Sequence, residues 1–408
     1  MRHPLELDPR LPLLPALLRN EEHFLFRRVA DRGRSVLGVG RLEMLSAPPI
    51  AEGDVRPDWY LLSADYEWLG PDGSETRHPE GAPYIRWTRP CWVIDRQGER
   101  AFLHVHPDAG IDPTELAHTL SVGIEEPTGT LACDWQLTTD RASYIAQVER
   151  LLQHIQRGDI YEVNYCTERI AHWPDLDPYA AFLRLLRRSD APFAAFHREA
   201  DRFVLSASPE RFLAVDGDRV IGEPMKGTRP RSADATTDAR LEQELLHDPK
   251  ERSENIMALD VMRHDLSRIA ATASVRVEEL CAVRSYPRVH QLVSTVSAKM
   301  APGISFYDVV RAAFPMASMT GAPKERAMEL IRTAEGGPRG AFSGTLGFMD
   351  PDGTADLNVV IRALVFDRRS GSVSLRTGSA LTAHCDPSAE WEECQVKARS
   401  VIDALHHA

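Results

Sequence analysis

The stretch from Phe193 to Glu223 constrains the fold more than any other part of the chain. FAAFHRE and RFVLSAS are parted by two residues, and RFLAVDGDRVIGE turns back on itself at Asp216-Gly217. Connections this short cannot carry the chain across a sheet, so each pair reads as an antiparallel hairpin. The later strands come in clusters too: ASVRVEEL with HQLVSTVSA, then GTLGFMD, LNVVIRALVF and SVSLRTG. Strands that do not alternate strictly with helices exclude a doubly wound parallel sheet. They predict an α+β fold of large, mainly antiparallel sheets in a layered sandwich with helices packed outside.

The helices announce themselves by caps and spacing. Asp140 caps one in which Tyr144, Ile145, Val148, Leu151, Leu152 and Ile155 recur at helical period, with Gly158 closing it. A short helix is expected at 182–186. Others are expected at 234–247, 306–313 and 323–334. Two open on Asp followed by Pro at the first helical position, at Asp248-Pro249 and Asp386-Pro387. Residues 1–135 are rich in Pro and Gly and read as a strand-rich N-terminal region. Residues 136–408 form the expected catalytic region.

The formal charge is -12, from 48 Lys+Arg against 60 Asp+Glu, which argues against a nucleic acid or anionic membrane held by charge. An anionic substrate therefore needs a local basic cluster or a metal. The 6 cysteines, Cys91, Cys133, Cys166, Cys281, Cys385 and Cys394, form no CxxC pair. With no apolar run of membrane-spanning length and no leader pattern, a cytoplasmic protein is expected.

Glu251 and Glu254 stand at i, i+3 in one helix, and Glu390 and Glu393 repeat the spacing in the last. Each pair puts its carboxylates on one helix face. Each also has a structural reading, through capping at Asp248 for Glu251 and an i, i+4 pair with Lys397 for Glu393. If the two helix starts converge, the repulsion is relieved by a hard divalent cation, and oxygen-only ligation favours Mg²⁺.

GEPMKGTRPRS (222–232) places Lys226 among two glycines and two prolines, and reads as neither helix nor strand. By itself Lys226 is a solvated loop lysine. Glu210, by itself, is a solvated turn residue, and His290 a strand histidine with one hydrogen bond.

Eight segments, in order, resemble one family: ASPERF, EPMKGTRPR, DPKERSENIMALDVMRHDLSRI, RVHQLVSTV, FPMASMTGAPKERAMELI, FSGTLGFMD, VVIRALV and CDPSAEWEECQVKAR. The chain is similar over about residues 140–402 to the chorismate-utilising enzymes, which include anthranilate, aminodeoxychorismate, isochorismate and salicylate synthases. The resemblance implies Mg²⁺ on Glu254 and Glu393, with Glu251 and Glu390 bridging through water, holding the ring carboxylate of chorismate. It implies Glu210 as general acid for the departing C4 hydroxyl and His290 facing the ring. Thr228, Phe342, Arg362, Lys397 and the cradle Gly378-Ser379-Ala380 would contact substrate. The turn Thr320–Lys324 would point backbone N–H groups outward at a helix start.

Lysine within PMKGT is similar to the aminodeoxychorismate-forming branch. There it would attack C2 and be displaced by ammonia at C4, giving 4-amino-4-deoxychorismate on the way to 4-aminobenzoate and folate. The neutral amine this needs calls for desolvation or nearby positive charge, for which Arg229, Arg231 and the metal are the candidates. Anthranilate synthesis, and a non-catalytic chorismate-binding subunit, are the alternatives. Ammonia would come from a separate glutamine amidotransferase subunit.

Departures from the pattern are Glu162 in IYEVNY, where amino-transferring members carry glutamine, Ala380 in the cradle, and Phe342 for tyrosine. Leu25-Phe26-Arg27-Arg28 replaces a tryptophan-binding motif.

Overall fold

A computed structural model describes residues 4–45, 58–79, 81–125 and 131–406. Their helices are α1 (Pro113–Thr119), α2 (Arg141–Gln156), α3 (Pro178–Ser189), α4 (Ala235–His247), α5 (Pro249–Ser267), α6 (Phe306–Ala313), α7 (Lys324–Glu335) and α8 (Pro387–His406). Caps set several starts. The Asp140, Asp234 and Asp248 carboxylates accept backbone N–H groups of the first turns of α2, α4 and α5. Ser305 and Asp308 cap α6 reciprocally. The helix expected at 182–186 is longer, because Asp177-Pro178 starts it a turn earlier.

Among the described residues the strands form two antiparallel sheets, one 12-stranded and one 10-stranded. In the larger, the order runs through Arg34–Val39, His23–Val29, Ala195–Glu199, Arg202–Ser206, Ala363–Asp367, Ser372–Thr382 and Glu162–His172 to Gly321–Ala322. The smaller begins with Met225–Pro230 on Val289–Lys299. It continues through Arg219–Gly222, Arg211–Asp216, Ala355–Asn358, Thr345–Met349 and Tyr60–Ala64. In both sheets strands from before residue 135 pair with strands from after it: His23–Val29 with Ala195–Glu199, and Tyr60–Ala64 with Thr345–Met349.

The sheets face each other across one apolar layer. Leu25, Val36, Val93 and Val204 come from the larger sheet and Leu61, Leu346 and Phe348 from the smaller. Helices cover the outer faces: α3 and α8 add to the layer containing Phe24, Phe196 and Phe366, and α5 and α6 to that containing Phe212 and Val296. This is the layered α+β architecture the hairpins predicted.

Two expectations change. LNVVIRALVF is not one strand. Ala355–Asn358 belongs to the smaller sheet and Ala363–Asp367 to the larger, and the chain switches sheets at 359–362. The hairpins switch sheets beside it, at 207–210. The two crossings bond to each other: Val359 N–H donates to the Glu210 carbonyl at 3.1 Å and Ala207 N–H to the Arg362 carbonyl at 3.1 Å. Arg362 adopts φ 49°, a sparsely populated conformation for a non-glycine residue.

The segment around Lys226 is a strand, Met225–Pro230, and not a loop. It lies along the edge of Val289–Lys299, where prolines are tolerated, with a bulge between Lys226 and Thr228. Gly227 in the bulge has φ 79°, and a Cβ there would press on Glu251 and Leu245 of the neighbouring helices at 3.0 Å. The glycine therefore serves the bulge and the packing of α4 and α5.

Candidate active site

The sheet crossings bring the segment carrying Glu210 and Arg362 beside the edge strand carrying Lys226. Side chains alternate along Glu162–His172, so Glu162, Asn164 and Cys166 share one face, opposite Val163 and Tyr165. That face looks toward the smaller sheet. Lys226 Nζ donates to Glu162 Oε1 at 2.8 Å, with side-chain exposures of 10% and 4%. The larger sheet supplies the carboxylate and the smaller the lysine.

Glu162 is held by backbone on both sides, by Thr382 and by Ala322. Tyr161 N–H donates to the Ala322 carbonyl at 2.6 Å and Asn164 N–H to the Thr320 carbonyl at 2.8 Å. At Gly321, φ 153°, a Cβ would overlap the Glu162 carbonyl oxygen. The turn 320–324 thus clamps the strand that bears Glu162.

Glu210 is buried, and burial pushes its carboxyl up to about 7, against the pull of Lys226 and Lys397. Burial pushes Glu254 to about 7 as well, opposed by Lys226 and Lys250. For Lys226, burial favours the neutral amine. The charges of Glu162 and Glu254 and the hydrogen bond to Glu162 outweigh it, and the pKa lies above the ordinary lysine value. This corrects the expectation that nearby cations make Lys226 neutral. Arg229 is paired with Asp248 at 2.7 Å and Glu251 at 3.6 Å, and Arg231 with Asp238 at 2.8 Å. Both are spent on α4 and α5, so the lysine meets carboxylates instead.

The two glutamate pairs do converge. Lys250 Nζ stands 2.8 Å from Glu390 and 3.8 Å from Glu254, tying α5 to α8. Glu254 and Glu390 are buried, and Glu254 Oε1 and Glu390 Oε2 have no hydrogen-bond partner among the described residues. Burial, Glu393 and Asp248 raise Glu251, whereas Lys397 and Lys250 overcome burial to lower Glu393. Orphaned buried carboxylate oxygens and an oxygen-only donor set suit a hard cation. Among the described residues, no three such side chains stand close enough as placed to hold one. The Lys250 ammonium supplies the positive charge.

A cavity of about 360 Å³ has Ala207, Pro209, Thr228, Gln291, Arg362 and Ser400 in its wall; Lys226, Glu162, Glu210 and the four glutamates of α5 and α8 are not among its lining residues. The half-buried Arg362 donates to Ser400 at 3.0 Å. Lys397 donates to the Gly378 carbonyl at 2.8 Å and pairs with Glu393 at 2.7 Å. Gly378 has no room for a Cβ against Cys166 and Asn164, and Ala380 lies across from Asn164. The Ser379 hydroxyl points away, to Tyr144 at 2.8 Å. Phe342 is buried in the core rather than in the cavity wall.

His290 does not line the cavity. Its ring nitrogens meet Ser285 at 2.8 Å and Asp238 at 3.0 Å. The adjacent Gln291 faces the cavity, because neighbours on a strand face opposite ways, and its buried Oε1 has no partner. Sequence reasoning missed Gln291, the Lys250 bridge and the contact between Glu162 and Lys226. The register of Met225–Pro230 on Val289–Lys299 carries the first, but only once Met225–Pro230 is known to be a strand.

The two-sheet sandwich thus gathers Glu210 and Arg362 at its sheet crossings and sets Lys226 against Glu162 between its sheets. The chain belongs to the chorismate binding enzymes, whose family model matches residues 49–403. It is 44% identical over 275 residues to an aminodeoxychorismate synthase of Streptomyces griseus, covering 67% of this chain and 38% of that one. It is 37% identical over 276 residues to aminodeoxychorismate synthase component 1 of Escherichia coli, covering 68% and 60%. The chain therefore spans less than two thirds of the length of either relative. Its fold is that of the menaquinone-specific isochorismate synthase of Escherichia coli, with a TM-score of 0.79 over 97% of this chain and 96% of that one at 17% identity.

Proposed function

We propose that the chain converts chorismate and ammonia to 4-amino-4-deoxychorismate, with Lys226 as the covalent nucleophile. The observation that carries this reading is the buried Lys226 in contact with the Glu162 carboxylate, near a buried Glu210 whose carboxyl burial pushes up to about 7. Lys226 forms a bond to ring C2, the two double bonds shift, and Glu210 protonates the C4 hydroxyl as it leaves. Ammonia then bonds to C4, the double bonds shift back, and the C2–N bond to Lys226 breaks.

Arg362 and Thr228 stand in the cavity wall, where they would hold carboxylate and ether oxygens, Arg362 as a two-pronged donor. Glu254, Glu390, Glu251 and Glu393 would hold Mg²⁺, which neutralises the ring carboxylate when bound. A separate glutamine amidotransferase would supply the ammonia. No helix among the described residues is long and apolar enough to cross a membrane.

The test is a product assay with chorismate, Mg²⁺ and an ammonium salt, followed by an aminodeoxychorismate lyase. The reading requires 4-aminobenzoate after lyase addition and its loss in Lys226→Ala. Fluorescent 2-aminobenzoate formed without lyase would instead identify an anthranilate synthase. Chorismate binding without turnover at any ammonium concentration would identify a non-catalytic subunit.

A further inference from the structure

We propose that Glu162 is the proton acceptor for Lys226, taking the proton that blocks the amine and returning it when the amine leaves the ring. The inference rests on the covalent reading of Lys226 and gives the departure at Glu162 a task. An ammonium has no lone pair, so Lys226 must lose a proton before it can attack. Its side chain is shielded from water, and the acceptor in contact with it is Glu162 Oε1 at 2.8 Å. Glutamine at this position could accept a hydrogen bond but not a proton.

At rest the pair is charged, because Glu162 and Glu254 outweigh burial at Lys226. The transfer moves one proton across a single 2.8 Å hydrogen bond between two side chains shielded from water, and turns an ion pair into a neutral pair as the amine attacks. Glu254 from α5 and Glu210 from the sheet crossing face the same ammonium through space, and Glu393 and Lys397 face the cluster from α8. The backbone at Glu162 is paired on both sides, by 321–322 and by 372–382, which fixes where its side chain starts relative to the lysine.

The protons balance. Glu162 takes one from Lys226, and the neutral amine bonds to C2, becoming a secondary ammonium. Glu210 gives one to the departing hydroxyl, which leaves as water. Ammonia bonds to C4 and gains a positive charge as Lys226 departs as a neutral amine. The new C4 ammonium returns a proton to Glu210, and Glu162 returns one to Lys226. The sum is chorismate plus ammonia giving aminodeoxychorismate plus water.

The test compares wild type, Glu162→Gln, Glu162→Asp and Lys226→Ala by chorismate consumption at saturating ammonium, from about pH 6 to about pH 10. Glu162→Gln should lose roughly 10²-fold near neutrality, with the loss shrinking as rising pH removes the lysine proton without help. Glu162→Asp, shorter but still basic, should lose less. A Glu162→Gln rate equal to or above wild type across the range would overturn the proposal, since the carboxylate would then only restrain the lysine.

A second readout does not need turnover. Competitive acetylation of Lys226 against pH, read by peptide mass, should show its apparent pKa falling in Glu162→Gln. Identical titrations in the two proteins would mean that the pair does not form in solution, and would sink the proposal. If Lys226→Ala consumes chorismate at full rate, the covalent reading fails and the base assignment falls with it. The labelling result would still show whether the pair exists.

Discussion

To give a proton away near pH 7, the Glu210 carboxyl has to hold one there, and burial is what keeps it. The same burial has a stability cost. In the unfolded chain the carboxyl titrates near the ordinary 4.5, and in the folded chain burial pushes it up to about 7. A carboxyl raised on folding makes the native state bind more protons, so its burden grows as pH rises from about 4.5 to about 7 and is constant above. Glu210→Gln should therefore slow the reaction by about 10² to 10⁴-fold. It should also stabilise the fold by roughly 3 kcal/mol above pH 7 and by little below pH 4.5. Urea unfolding at the two pH values checks this, and a variant less stable than wild type at pH 8 would contradict it. The wild-type rate should fall as pH rises through about 7, and that limb should be absent from the glutamine variant. At this scale the sequence was a partial guide. SPERF singles out Glu210, which the fold buries; in RVHQLV, His290 and Gln291 face opposite ways on their strand, and Gln291 is the one in the cavity wall.

Elements set where those residues meet. Helix starts are legible where a cap stands out, since caps are local: Asp140 and Asp248-Pro249 need no tertiary partner to be recognised, whereas Asp177-Pro178 opens its helix a turn before the apolar spacing suggests. The sheet crossing inside LNVVIRALVF was not legible, since its residues are apolar before and after the break and no alternation marks it. Met225–Pro230 was hidden for the opposite reason: its glycine and prolines suggest a loop, and only an edge position with a bulge admits them. Gly321 also acts at this scale. Gly321→Ala would force the turn away from the Glu162 strand, moving the carboxylate off Lys226. The expected result is a loss of 10-fold or more in kcat, on the order of a 1 Å misplacement, with a lowered melting midpoint. A second element-level joint is the fully buried Arg27, paired with Asp356 at 2.6 Å across the sheets, while Arg211 donates to the same Asp356 at 2.8 Å. Asp356→Ala would leave two buried guanidiniums short of a partner and should cost about 3–5 kcal/mol in urea unfolding. A loss under about 1 kcal/mol would mean that water reaches this joint.

For the whole molecule, the glutamate cluster lies at a seam. α5 packs on the smaller sheet beside Val289–Lys299, and α8 covers Ser372–Thr382 of the larger. Lys250 bridges them through Glu390, so one ammonium now tempers the repulsion between carboxylates belonging to two layers. A divalent cation held by the same carboxylates would strap the layers with twice the charge, in a chain whose net charge is -12. Mg²⁺ should therefore raise the thermal midpoint of the ligand-free protein, and a chelator should reverse the rise. At a Mg²⁺ concentration of about 100 times Kd the gain is about 2.7 kcal/mol, a shift of several degrees. The effect should be larger at pH 8 than at pH 6, because Glu254 titrates at about 7 and only its ionised form is a good ligand. Glu254→Gln should abolish most of the shift while leaving the fold intact, since the amide keeps the side chain's shape and removes its charge. An equal Mg²⁺ shift in that variant would place the cation elsewhere, and the seam would then be held by Lys250 alone.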